Sequence, residues 1–125
     1  MKAACHLSAE TLDRAVEAGA VVRRLLREDY GLTQSIIAKA TGASARSVRN
    51  WEQTSAIRPH HDERLRDLRE VVLIVRETLT ACGVGQWLTA RNRILHGRRP
   101  IDSLAEGNPK DVRKAARAYV EAAYV

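Results

Sequence analysis

The segment from Thr33 to Gln53 constrains the fold of this chain more than any other, because it follows the spacing of two short helices joined by a tight turn. Gln34 opens the first helix, and Ala38, four residues on, is small enough to let a second helix approach closely. Gly42 follows where the turn needs a left-handed backbone, which costs little without a Cβ atom. Ser44 is then placed to cap the next helix by accepting a hydrogen bond from a backbone N–H. The pattern predicts a helix-turn-helix.

The second of these helices has one apolar face and one polar, basic face. Val48 and Trp51, three residues apart, point towards the core, while Arg46, Arg49 and Asn50 point the other way. A polar, basic helix face is what the major groove of DNA requires. We therefore interpret the segment as a DNA-binding motif. The alternative is a helix-turn-helix that serves only packing, with its polar side chains solvated.

The candidate DNA contacts occupy the outward positions of both helices. Arg46 is suited to a bidentate contact with guanine and Asn50 to one with adenine, each worth about 1–3 kcal/mol of discrimination, and Ala45 can pack on a thymine methyl group. Thr33 and Gln34 are placed to contact phosphate. One recognition helix covers few base pairs, so we expect a dimer on a palindromic site. The predicted DNA contacts are Thr33, Gln34, Lys39, Ser44, Ala45, Arg46, Ser47, Arg49, Asn50 and Gln53.

The length and the net charge indicate a small basic protein. The 125 residues suffice for one domain, or for two small helical modules that share a core. The 21 Lys and Arg against 15 Asp and Glu give a formal net charge of +6, which favours a polyanionic partner. Cys5 and Cys82 follow no metal-ligand spacing, so we expect unpaired thiols in a reducing cytosol. Without a signal-peptide pattern or a long apolar run, we expect a cytoplasmic protein with no membrane partner.

No group of residues in the sequence has the spacing expected of a catalytic or metal site. The neighbours Cys5-His6 and His60-His61 would point in different directions on a helix, which is poor geometry for a metal site. The sequence contains no glycine-rich phosphate loop and no nucleophile motif. It therefore predicts a protein that is not an enzyme and has no metal or cofactor.

The rest of the chain predicts an all-α fold, because no run of alternating β-branched and polar residues is long enough for a strand. Ser8 is a plausible N-cap for a helix over about 9–28. The longest helix is predicted over about 61–82. Val71 and Ile74 widen its apolar stripe, which favours a helix buried in its own domain or one that mediates a dimer. Its heptad-spaced seam consists of Leu65, Leu68, Val72, Val75, Leu79 and Cys82.

A break is predicted at residues 82–85, where two glycines lie close together. A short helix over 86–94 follows, with Trp87, Leu88 and Ile94 available for burial. A basic turn at 96–100 and a helical turn at 101–105 come next.

The last helix is predicted over about 109–122. Asn108 supplies the N-cap, Pro109 the first helical position and Asp111 a favourable charge in the first turn. The residues predicted to share one face are Val112, Ala115, Ala116, Tyr119 and Ala123.

The second half carries a run of residues that resembles a known family. Trp87-Leu88 is followed by Asn92, then by Gly97-Arg98-Arg99-Pro100-Ile101-Asp102-Ser103-Leu104, then by Gly107 and a final helix. Together with the helix-turn-helix, this order resembles the Xre/MbcA/ParS family of antitoxins, the partners of RES-domain toxins. The family's Arg-Pro-hydrophobic-Asp-x-Leu pattern is matched, whereas residues 92–96 depart from the Asn-Pro that the family more often has. The resemblance covers most of residues 30–125.

The resemblance implies an all-helical antitoxin of a type II toxin–antitoxin system, whose partner is a RES-domain toxin that consumes NAD. In such pairs the C-terminal helix and end residues of the antitoxin occlude the NAD pocket of the toxin. Carried onto this sequence, that role falls to Arg117, Tyr119, Val120, Tyr124 and Val125. Arg98 and Arg99 are further candidates for toxin binding, with structural and phosphate-facing roles left open.

Physical reasoning on the last two residues agrees, because an aromatic anchor beside a terminal carboxylate suits a pocket built for a charged dinucleotide. The alternative is that Tyr124 packs on its own domain.

Two modules are therefore expected: an N-terminal helix with a DNA-binding helix-turn-helix over residues 1–59, and a helical toxin-binding and oligomerisation domain over 60–125. The expected partners are a RES-domain toxin, operator double-stranded DNA, and further copies in a homodimer or a higher hetero-oligomer with the toxin. The expected function is neutralisation of the toxin and repression of the antitoxin's own operon. The alternative is a stand-alone dimeric transcriptional regulator, whose second half serves only dimerisation or ligand sensing.

Overall fold

The computed structural model describes Ala20, Val22, Leu25 and the ranges 32–53 and 57–123. The named elements in this part of the chain are all α-helices, which confirms the predicted all-α fold for these residues. The helix predicted over 9–28 falls largely outside the described residues. In chain order the helices are α1 (Gln34–Thr41), α2 (Ala45–Gln53), α3 (Pro59–Val75), α4 (Ala81–Thr89), α5 (Pro100–Ala105) and α6 (Pro109–Ala123).

Helix α3 is the longest of the described helices. It packs against α1, α5 and α6, while α1 also packs against α2 and α5. One cluster of buried apolar side chains runs from Val22 and Leu25 through Ile37 and Leu68 to Val112. Side chains before and after residue 60 therefore share one core, and the division into modules at that residue stays a prediction.

The end of α3 differs from the sequence-based prediction. The helix stops at Val75, and a turn over residues 76–78 precedes Leu79, so the predicted continuation to Cys82 is wrong. The buried stripe of α3 matches a helix packed inside its own domain, because Leu68 and Val75 are fully buried. Cys82 belongs to α4, and its side chain is exposed.

The predicted break at residues 82–85 is wrong as well, because these residues lie inside α4. The side chain of Thr80 caps this helix by accepting a hydrogen bond from the backbone N–H of Gly83 at 3.3 Å. Val84 and Leu88 are both fully buried and give the helix a core-facing side. Packing of these two residues outweighs the low helix propensity of the glycines.

The segment between α4 and α5 is a turn rather than the predicted end of a helix. An antiparallel bridge joins Asn92 to Arg98, and residues 93–97 form the turn between them. Leu95 is buried, but Ile94 is 45% exposed, so the expected burial of Ile94 is wrong.

Helix α6 begins at Pro109, as the sequence predicts, whereas α5 begins at Pro100, one residue before the helical turn predicted over 101–105. The buried face of α6 consists of Val112, Ala115, Ala116 and Val120. Tyr119 and Ala123 are exposed rather than on that face, because the helix is rotated so that Val120 faces the core.

Candidate functional site

The helix-turn-helix is built from local hydrogen bonds that its sequence specifies. The side chain of Thr33 accepts a hydrogen bond from the backbone N–H of Ile36 at 3.1 Å and so caps α1. Gly42 adopts φ +74°, and its backbone N–H points to the carbonyls of Ala38 and Lys39. These features confirm the predicted cap and left-handed turn.

The start of α2 is capped as predicted. The Oγ of Ser44 accepts a hydrogen bond from the backbone N–H of Ser47 at 3.1 Å. Val48 is fully buried and Trp51 is 4% exposed, while Arg46 and Arg49 are exposed. The helix therefore presents a basic face to solvent and an apolar face to the core.

The predicted DNA contacts are mostly on the surface. Gln34 is half-buried, and its Nε2 donates a hydrogen bond to Oε2 of Glu52 at 3.3 Å, which ties the start of α1 to the end of α2. Ala45 and Ser47 are also half-buried. Contact with DNA stays a prediction for the whole set, of which the exposed members are Thr33, Lys39, Ser44, Arg46, Arg49, Asn50 and Gln53.

His61 at the start of α3 links the long helix to the helix-turn-helix. Its ring lies 5.5 Å from that of Trp51 and 4.0 Å from that of His60, between ring centroids. Burial lowers the pKa of His61, and the charges of His60 and Arg58 lower it further, while a hydrogen bond with the backbone of Gly42 opposes the shift. Sequence reasoning considered this residue only as a metal ligand, and no local sequence signal reveals its packing role.

The segment after α4 is a compact turn rich in hydrogen bonds. The backbone N–H of Asn92 donates to the carbonyl of Arg98 at 2.9 Å, and the N–H of Gly97 donates to the carbonyl of Asn92 at 2.8 Å. The Oδ1 of Asn92 also accepts from the N–H of Ile94 at 2.9 Å. His96 and Gly97 adopt φ +58° and +84°.

Arg98 and Arg99 are both engaged by carboxylates. Arg98 is paired with Glu106, and Arg99 donates two hydrogen bonds to the carboxylate of Asp102 at 2.8 and 3.0 Å. These bonds to Arg99 hold the pKa of Asp102 below its ordinary value, desolvation opposes them, and the nearby charges of Arg99 and Lys39 add to them. Lys39 of α1 therefore lies within electrostatic range of α5. An open concavity of about 380 Å³ is lined by Arg91, Gly97, Arg98, Arg99, Asp102, Ala105 and Glu106.

The predicted toxin contacts on α6 differ in accessibility. Arg117 is exposed, and Tyr119 is 38% exposed with its ring centroid 6.4 Å from that of Trp87. Val120 is only 8% exposed and packs towards the core, so it presents little surface to a partner. Tyr124 and Val125 lie outside the described residues.

Helix α6 is fixed to α3 by charged contacts as well as apolar ones. Nη1 of Arg113 lies 3.1 Å from a carboxylate oxygen of Glu70 and 4.0 Å from one of Asp67. Burial raises the pKa of Asp67, and the charge of Arg113 opposes that effect. Arg64 of α3 donates a hydrogen bond from Nε to the carbonyl of Ala105 at 3.2 Å, which fixes the end of α5.

Among the helices described here, none is both long and apolar enough to cross a membrane. The described residues contain no group of three or more His, Cys, Asp or Glu side chains that could hold a metal ion.

Comparison with known proteins defines the class. No family model matches the chain. Over 117 residues the chain is 48% identical to the probable mycobacterial cidal antitoxin Rv3188 of Mycobacterium tuberculosis strain H37Rv, an alignment that covers 94% of this chain and 99% of that protein. The fold also matches a chain from the crystal structure of the M. tuberculosis MbcT–MbcA toxin–antitoxin complex. That match has a TM-score of 0.72 and 27% identity, and it covers 86% of this chain and 96% of the other.

A chain with these relatives, whose described elements are all helices, is an antitoxin of a toxin–antitoxin pair. It belongs to the family of the mycobacterial cidal antitoxins. The predicted class of protein is thus confirmed.

Proposed function

We propose that this antitoxin neutralises a RES-domain toxin that consumes NAD, and that it does so by occluding the active site of the toxin with the end of α6 and the residues that follow. The main support for the proposal is the sequence similarity to an antitoxin along almost the whole chain. The exposure of Arg117 and Tyr119 on α6 supports it, because arginine and tyrosine are enriched among the residues that contribute most to protein interfaces.

The occluding segment combines a rigid helix with an aromatic residue beyond it. Four buried side chains and the ion pair of Arg113 with Glu70 hold α6 against α3. A helix fixed in this way loses little conformational entropy on binding. In this proposal Tyr119 contacts the rim of the toxin pocket, and Tyr124 and Val125 enter it. Arg98 and Arg99 contact the toxin nearby and keep their pairs with Glu106 and Asp102.

We further propose that the antitoxin, alone or in complex with the toxin, represses its own operon through the helix-turn-helix as a type II system. The exposed basic face of α2, with Arg46 and Arg49 outward and Trp51 buried, supports this part. One such helix reads few base pairs, so the binding unit is a dimer or a higher assembly on a palindromic operator.

Deletion of residues 122–125 tests the occlusion mechanism. In cells that co-express the toxin encoded by the adjacent gene, the shortened antitoxin should fail to protect growth and should fail to prevent the loss of cellular NAD. It should still bind operator DNA, because the helix-turn-helix is untouched. Unchanged protection would contradict occlusion by this segment.

The double change Arg46→Ala with Asn50→Ala tests the DNA-binding part. The variant should lose sequence-selective binding in a mobility-shift assay and still bind the toxin. Normal operator binding would show that another surface reads the DNA. If the adjacent gene product neither binds the antitoxin nor lowers NAD, the chain acts on DNA as a stand-alone regulator or has a different toxin.

A further inference from the structure

Ile94 is an exposed apolar side chain in a turn that has arginines within and beside it. It is 45% exposed, and the other large hydrophobic side chain exposed in the described part of the chain is Tyr119. A single exposed isoleucine is ordinary on a protein surface and by itself indicates nothing. What sets Ile94 apart is the rigidity of the turn that presents it and the charge around it.

The turn is held from both ends. The side-chain oxygen of Asn92 accepts a hydrogen bond from the backbone N–H of Ile94, and the backbone of Asn92 bonds to both Gly97 and Arg98. Leu95 is 5% exposed and anchors the turn in the core. A side chain presented by such a fixed backbone loses little conformational entropy when a partner covers it.

His96 adds a second observation on the backbone. Its φ of +58° is left-handed, a conformation that costs free energy for a residue other than glycine. Strained residues of this kind persist where the surrounding structure imposes them, and they occur often at sites of recognition.

The charge around Ile94 is mostly positive, although Glu106 and Asp102 already pair with Arg98 and Arg99. Residues 91–99 contain four arginines and no acidic residue. A cleft of about 310 Å³ next to the turn is lined by Ile94, His96 and Arg98, together with Asp111 and Lys114 of α6. The turn and the first half of α6 therefore form a continuous surface, and the end of the same helix is assigned above to the toxin.

We infer that the turn over residues 93–97 is a second docking point for the toxin, with Ile94 entering an apolar pocket whose rim carries carboxylates. This inference rests on the proposed function and extends it to a surface away from residues 122–125. A second copy of the chain is a poor occupant, because a symmetric contact would bring Arg91 and Arg93 of one copy close to the same arginines of the other. DNA is a poor occupant too, because phosphates bind the arginines but leave an exposed isoleucine without a partner.

The experiment measures binding of the full-length antitoxin to the purified toxin from the adjacent gene by calorimetry and surface plasmon resonance. Ile94→Ser should raise the Kd at least tenfold, mainly through faster dissociation, because Ile94 acts as a buried anchor in the complex. Arg93→Glu should also weaken binding and should reduce its dependence on salt. Arg69→Glu, a charge reversal at an exposed position of α3, is the matched control and should leave the Kd unchanged.

Circular dichroism and the urea midpoint of each variant should equal those of the wild type, because positions 93 and 94 are exposed. A Kd for Ile94→Ser within twofold of the wild-type value would overturn the inference. So would a change confined to operator affinity or to the oligomeric state in sedimentation, which would assign the turn to DNA or to a second copy. If the wild-type antitoxin does not bind this toxin, the proposed function fails, and this inference fails with it.

Discussion

The same substitution, glycine to alanine, should have opposite effects on stability at two positions of this antitoxin. Gly85 lies in the middle of α4 with ordinary helical geometry, and a Cβ there would lie 3.6 Å from Cδ1 of Ile36, a normal van der Waals contact. Alanine in a helix interior is favoured over glycine by roughly 0.5–1 kcal/mol. Gly85→Ala should therefore raise the free energy of unfolding by about 1 kcal/mol.

At Gly42 the same substitution should lower the stability. It has φ +74°, and a Cβ there would have no heavy atom within 4 Å. The cost of Gly42→Ala is therefore conformational rather than steric, and the left-handed region costs an L-residue roughly 1–2 kcal/mol. The two variants should differ by about 2–3 kcal/mol although each adds the same methyl group.

Urea unfolding followed by tryptophan fluorescence measures both effects, because Trp51 is 4% exposed and changes environment on unfolding. The slope of the unfolding free energy against urea concentration should be the same for both variants and the wild type. A shifted midpoint then reports a change in stability alone. In thermal scans each kcal/mol should move Tm by roughly 3–5 °C for a chain of this size. A Gly42→Ala variant as stable as the wild type would refute the reasoning, and so would a Gly85→Ala variant with a lower free energy of unfolding than the wild type.

Three further predictions address DNA binding, pH and packing. Changing Arg46 or Asn50 singly to alanine should cost about 1–3 kcal/mol of operator discrimination each, measured against scrambled DNA at fixed salt; equal losses on both DNAs would contradict base reading. The pKa of His61 is lowered from its ordinary 6.5, so as the pH falls through that value the folded state binds fewer protons than the unfolded state and loses stability, until His61 is protonated in both states. Urea titrations between pH 5 and 7.5 (roughly the range in which histidine titrates) measure this loss, and in His61→Gln the free energy of unfolding should depend less on pH. An unchanged pH dependence would show that other groups cause the loss. Arg64→Met should lower stability by about 1–2 kcal/mol, because the carbonyl of Ala105 loses a charged donor; a variant as stable as the wild type would show that water replaces the bond.

The helix-turn-helix could be predicted in detail because its determinants are local. Thr33 and Ser44 accept hydrogen bonds from N–H groups three residues on, and Gly42 supplies a left-handed conformation that does not depend on distant contacts. The burial of Val48 and Trp51 follows from helical periodicity once the helix start is known. These features lie in one short segment, which is why reading the sequence sufficed for the motif.

The boundary between α3 and α4 could not be predicted in the same way. The apolar spacing of three and four continues through Leu79 to Cys82, and the glycines at 83 and 85 look like a break, so local signals place the boundary too late. The core decides otherwise, since α4 begins at Ala81 and buries both Val84 and Leu88, which lie four residues apart on one of its faces. Tertiary packing here overrides intrinsic propensity.

The exposed residues of the protein show the same difference between what the sequence determined and what only the tertiary structure decided. By itself the sequence determined that the chain is helical, that it carries a capped helix-turn-helix and that it belongs among antitoxins, because caps, turns and family motifs are local patterns. Only the tertiary structure decided that Val120 rather than Tyr119 faces the core and that Ile94 is exposed. Adjacent residues on a helix or turn have similar local preferences, and only the shape of the neighbouring core selects which of them is buried.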